Sequence, residues 1–130
     1  MSLFKKSNNP LQDAIRELAN EQSRENIIAF AKKFKALYSQ ETWVLIPGRQ
    51  TEKGFELCLF EERGKTYAAF FSDGREAKKH NGDILSTDIE NVIKSVFENE
   101  EIAGIVIDPY SIQFYMEKHF IAQCLLHDED

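Results

Sequence analysis

Apolar residues recur along this chain at two intervals, and each change of interval marks a new element. Leu11, Ala14, Ile15 and Leu18 keep the three-and-four spacing of a helix with one apolar face. Asn9 stands where an N-cap belongs. Pro10 takes the first helical position, where its missing N–H costs nothing, and Asp13 falls in the first turn, where the helix dipole favours an anion. A longer helix is predicted over 23–40, capped by Ser23. Its broad apolar face carries Ile27, Ile28, Ala31, Phe34, Leu37 and Tyr38, with Lys32, Lys33 and Lys35 mainly on the solvated side.

From residue 43 the interval shortens. Residues 43–46 are apolar without alternation, as in a buried strand, and Pro47 and Gly48 are expected to end it. Phe55, Leu57 and Leu59 then alternate with Glu56, Cys58 and Phe60. "EERGK" supplies a turn at Gly64, and "TYAAFF" returns, which predicts a hairpin. In that strand Cys58 reads as a small packing residue. Ser72 or Asp73 caps a short helical turn reaching Lys79, and Asn81-Gly82 marks a further turn. Thr87 or Asp88 caps a third main helix whose stripe is Ile89, Val92, Ile93, Val96 and Phe97.

The last quarter of the chain opens with "AGIVID", apolar on both faces and therefore an interior strand. Pro109 cannot donate to a ladder and favours extended geometry at Asp108, so the strand should stop there. "SIQFYM" gives a short half-buried strand. "EKHFIAQCLL" gives a closing helix with Phe120, Ile121, Cys124 and Leu125 on one stripe, and "HDED" a solvated tail. The fold class that follows is α+β: one domain over 1–130 with a frayed lead-in at 1–8, and a mixed, mostly antiparallel sheet of about five strands carrying helices.

Composition narrows the function classes. At 130 residues and 42% hydrophobic the chain fills one core. Sixteen basic against 22 acidic residues leave a net charge of −6, and "KKFK" and "KK" are too short to outweigh it. Neither nucleic acid nor an anionic membrane is an expected partner. Cys58 and Cys124 are too few and too far apart for a disulfide framework, "MSLFKKSNNPLQDA" lacks an apolar signal core, and no apolar run approaches the ~20 residues of a membrane span. A reduced, cytoplasmic setting is expected.

Catalytic patterns are hard to assemble from these residues. His80, His119 and His127 fall in different elements, and HExxH and paired-cysteine spacings are absent, so neither a metal nor a cofactor is expected. Cys124 and His119 are five apart on one helix, hence on different faces, and Cys124 lies on the apolar stripe. No catalytic residue is assigned. Asp108 is the best single candidate for binding, because ligand sites often lie where an interior strand ends. The competing reading is a carboxylate that ties a turn to backbone N–H groups. Aromatic residues also crowd the corners of the chain: Trp43, Phe70, Phe71, Tyr110, Phe114 and Tyr115.

"WVLIPG", "AAFFSDGREA" and "GIVIDPYSIQFYMEKHFI" together resemble the SseB protein N-terminal domain family (enhanced serine sensitivity), from about Trp43 onward. Family members show a "VPL"-like strand, a strand resembling "yvPvFTs.eel" and a late "GIVINPxxxxFxLxxxxI" block. The matching positions are Phe71, Ser72, Gly104, Ile107, Asp108, Pro109 and Phe114. Asp108 replaces the usual Asn, keeping the turn chemistry and adding a charge; the family's Thr falls on Phe71 or Ser72. The resemblance implies an SseB-like N-terminal-type domain, a second domain in longer relatives, and no established enzymatic mechanism. The expected function is a non-enzymatic cytoplasmic binding or scaffold module acting through a protein–protein surface. The alternative is an amino-acid-related small-molecule sensor or enzyme with a cleft near Asp108. The residues expected to bind are Phe71, Ser72, Asp108, Pro109 and Tyr110. They allow a protein partner, or a homodimer through an edge strand formed by "KTYAAFF" or "SIQFYM".

Overall fold

The computed structural model describes residues 9–40 and 42–126; the lead-in at 1–8, His127 and the acidic tail lie outside the described residues. Two helices come first, α1 (Pro10–Asn20) and α2 (Arg24–Ser39). Their starts are local chemistry: the Asn9 side chain accepts from the Gln12 N–H and the Ser23 hydroxyl oxygen from the Asn26 N–H, each satisfying an orphan donor. The chain then runs through β1 (Trp43–Thr51), β2 (Gly54–Leu57), β3 (Phe60–Glu62), β4 (Lys65–Phe70) and the single turn α3 (Gly74–Ala77). It closes with β5 (Ile84–Asp88), α4 (Ile89–Glu98), β6 (Ile102–Ile107), β7 (Phe114–Glu117) and α5 (Lys118–Leu125).

The strands form two sheets, ordered β2-β1-β5 and β3-β4-β6-β7; β4 and β6 run parallel and every other pair is antiparallel. An isolated bridge from Leu45 to Phe71 joins them. The α+β class holds, with the described strands numbering seven. Three local differences from the sequence pattern stand out, and the first two account for the added strands. The strand expected over 55–60 breaks at Cys58 and Leu59, because its first part pairs with β1 and its last part with β4. β5 precedes α4, and Asp88 serves as both the last strand residue and the helix cap, accepting from the Glu90 N–H.

The third difference is that β1 passes straight through Pro47 and Gly48. Pro47 lies where the neighbour of β1 changes from Phe71 to Cys58, so its missing N–H deprives no ladder bond, while its carbonyl still accepts from the Cys58 N–H at 2.9 Å.

β6 is interior, as its two apolar faces require, and it lies between β4 and β7. Gly104 lets it pair so closely with β7 that a Cβ there would fall 1.9 Å from the Met116 carbonyl oxygen. One face of this sheet packs on the helices. Phe30 of α2, fully buried, meets Phe114 of β7 at 5.0 Å and Phe120 of α5 at 6.1 Å between ring centroids. The other face carries a thinner layer of Tyr67, Ala69 and Val106 under Phe60 and Tyr115. Of the two segments proposed as edges, "KTYAAFF" is interior as β4, whereas β7 ends the order of its sheet. No helix among the described residues is long and apolar enough to cross a membrane.

Candidate functional site

The strand β6 delivers Asp108 to a corner, and there the backbone departs from the extended geometry that the following proline favours. Asp108 has φ 52°, in the left-handed region. Hydrogen bonds on every side hold it: its N–H donates to the Phe70 carbonyl at 3.1 Å, and its carbonyl accepts from the N–H groups of Ser111 and Gln113 at 3.1 and 3.0 Å. The side chain turns inward and is 0% exposed. Oδ1 accepts from the Ser72 N–H at 2.8 Å; Oδ2 accepts from the Ser72 hydroxyl at 2.5 Å and the Gln12 amide at 3.0 Å.

This network spans three elements. The Asn9 amide donates to the Ser72 Oγ at 2.7 Å and to Asp73 at 3.0 Å, which ties the start of α1 to the start of α3. Glu76 of α3 accepts from the Ser111 hydroxyl at 2.5 Å and from Lys79 at 3.1 Å. Burial raises the Asp108 carboxyl above the ordinary range; the bonds from Ser72 and Gln12 oppose the rise and the Glu76 carboxylate adds to it. At Glu76 burial also pushes upward, but the bonds from Ser111, Lys79 and Gln12 outweigh it, and the carboxyl lies below its usual range. Every buried side-chain polar atom among the described residues has a partner. Asp108 is therefore a bolt between α1, α3 and the end of β6. Its two oxygens take three hydrogen bonds, and the residue has no exposed surface.

The thiols and imidazoles fall apart in space as well as in sequence. Cys124 is buried in the core, and burial pushes its thiol up to about 11. His119 points outward and lies 3.9 Å from Glu117. No group of three His, Cys, Asp or Glu side chains among the described residues is placed to hold a metal ion. Cys58 corrects an expectation: it is exposed and lies between β2 and β3, where the chain crosses from one sheet to the other, so it is not a packing residue within a strand. With His80, Asp83 and Arg49 it lines a cavity of about 220 Å³. Tyr110 forms an aromatic shelf against His80, one of the residues that line this cavity. Its ring stacks on His80 and Phe71, its hydroxyl lies 2.7 Å from His80 Nδ1, and it remains 43% exposed. Burial, and then the neighbouring Cys58, raise its phenol above the usual range.

A larger feature lies on the other side of Phe71. A groove of about 400 Å³ runs between α2 and the strands β1 and β4. Phe70 and Phe71, at 0% and 2% exposure, form its floor, and Leu37, Val44 and Leu45 its walls. Trp43, the single tryptophan, stands on one lip with 68% of its surface exposed. Lys33 occupies the α2 lip, and Asn9, Ser72 and Asp73 close one end.

The five residues singled out from sequence are thus divided. Phe71 and Ser72 line the groove, Tyr110 forms the shelf, and Asp108 and Pro109 are buried behind them. Lys33, Leu37 and Trp43 do not stand out as a group in the sequence; their one signal is a tryptophan heading an otherwise buried strand, next in sequence to a lysine-bearing helix. No protein-family model matches the chain, and neither a characterised protein nor a solved structure is significantly similar to it.

Proposed function

We propose that this chain is an SseB-like, non-catalytic cytoplasmic module that docks another protein in the groove between α2 and β1. One observation carries the reading: an exposed tryptophan beside an apolar groove whose floor is already fully packed. A monomer gains nothing by leaving an indole in water, whereas buried tryptophans anchor protein interfaces. The groove volume of about 400 Å³ also lies within the range of ligand sites. The enclosure of Asp108 supports a structural reading of the late sequence block, which weakens the alternative of an amino-acid-related sensor built around that carboxylate. The cysteines, one exposed and one buried and both unpaired, fit a reducing compartment. The net charge of −6 argues against a nucleic-acid partner.

The test is affinity capture from the native cell with three tagged chains: the natural one, Trp43→Ala, and Leu126→Ala as an exposed apolar control outside the groove. A partner retained by the control and lost by Trp43→Ala supports the proposal. Equal capture by all three contradicts it.

A further inference from the structure

The edges of the groove indicate what docks there, an inference that rests on the docking reading above. Backbone groups alternate sides along β1. The Thr42 carbonyl accepts from Ile89, on the β5 side, whereas the carbonyls of Leu45 and Pro47 accept from Phe71 and Cys58 on the opposite side. By the same alternation Trp43 turns its own N–H and C=O away from β5, one step before the Leu45–Phe71 bridge, and no described residue pairs with them there. The groove therefore begins with a short open strand edge. On the α2 lip Lys33 is exposed and has no ion-pair partner among the described residues. In a chain of net charge −6, Lys33 places an exposed positive charge on the α2 lip, away from the end that Asp73 closes.

The geometry points to an extended acidic peptide segment of a partner protein as the occupant. Its backbone pairs with the N–H and C=O of Trp43, one large apolar side chain enters the groove above Phe70 and Phe71, and an Asp or Glu lies beside Lys33. A docked helix has no free backbone groups for Trp43, and a small apolar molecule uses neither the Trp43 backbone groups nor Lys33. An added strand uses all three features at once.

Display of random peptides of about ten residues, the upper length of an ordinary strand, against the full chain selects for this occupant. Titration of the synthesised hits then reads the emission of the single tryptophan. The expected hits share one large apolar residue with an Asp or Glu within the next few positions, and their binding shifts Trp43 emission to the blue. Lys33→Glu weakens them about tenfold, and exchanging the peptide acid for Lys restores the loss. N-methylation of the peptide amide that meets Trp43 costs a similar factor. Both protein positions are exposed, so neither Trp43→Ala nor Lys33→Glu puts folding at risk. Hits without an acid, or indifferent to Lys33→Glu and to N-methylation, overturn the acidic extended segment and leave the docking reading standing. So does a selection without hits if Trp43→Ala still abolishes capture of a folded partner. If Trp43→Ala affects neither hits nor capture, both readings fall.

Discussion

The corner at Asp108 and the groove at Trp43 lie on either side of Ser72, yet they are built on opposite principles. At the corner the central carboxylate takes three hydrogen bonds and is 0% accessible. At the groove a large indole is 68% exposed, and the Trp43 backbone groups turned away from β5 meet no partner among the described residues. Buried polar networks must be complete, because an unpaired member costs more than the network gains. Completeness therefore marks structure, and incompleteness at a surface marks a place where something else can bind. The conspicuous Asp-Pro motif belongs to the first kind and the inconspicuous tryptophan to the second.

The comparison breaks most readily at the corner. Asp108→Ala leaves the Ser72 N–H, the Ser72 hydroxyl and the Gln12 amide without their acceptor. The expected cost is about 3 kcal/mol of folding stability, read by urea denaturation. A loss below about 1 kcal/mol would show that the corner is not a bolt.

Titration sharpens the same point. The Asp108 carboxyl is raised in the folded chain, so the stability it contributes is fully present below its unfolded pKa and is lost as pH rises through its folded pKa. The Glu76 carboxyl is lowered, so its contribution is present above its unfolded pKa and is lost as pH falls through its folded pKa. Asp108→Asn keeps Glu76 and removes only the first effect. The stability of the natural chain relative to this variant should increase as pH falls from neutral toward the carboxylate range, measured by denaturation at each pH. A difference that stays flat, or that shrinks in acid, contradicts the buried carboxylate.

On the groove side, Trp43→Ala is expected to change stability by no more than about 0.5 kcal/mol, because the side chain is exposed. A larger loss would make the indole part of the core. Smallest of all is the effect of thiol modification. A disulfide reagent should label Cys58 alone in the native chain, and both cysteines only after unfolding, since Cys124 is enclosed with its thiol pushed up to about 11. Rapid native labelling of Cys124 would contradict that enclosure.

What the sequence reveals of this molecule is what depends on neighbours in the chain. The caps Asn9, Ser23, Asp73 and Asp88 are legible because each bonds an N–H two or three residues on. The interior character of β6 is legible from apolar residues on both its faces. The passage of β1 through Pro47 is not, since it depends on Phe71 and Cys58 sharing one edge, and neither is local to it. The role of Asp108 is hidden for the same reason: Ser72 lies 36 positions away and Gln12 lies 96. Pro109 signals a turn, but the hydrogen bonds that hold Asp108 at positive φ come from Phe70, Ser111 and Gln113. The groove was the least legible part, because α2, β1 and the end of β4 form it together and no one of them shows it.

The central claim is that binding resides at Trp43 and structure at Asp108. It is tested most directly by measuring, in parallel, how much of the same captured partner is retained by the folded natural chain, Trp43→Ala and Asp108→Asn. The account predicts that Asp108→Asn retains the partner as the natural chain does, while Trp43→Ala loses at least nine-tenths of it, about a tenfold weakening. Undiminished capture by Trp43→Ala, with loss in a folded Asp108→Asn chain, would contradict it.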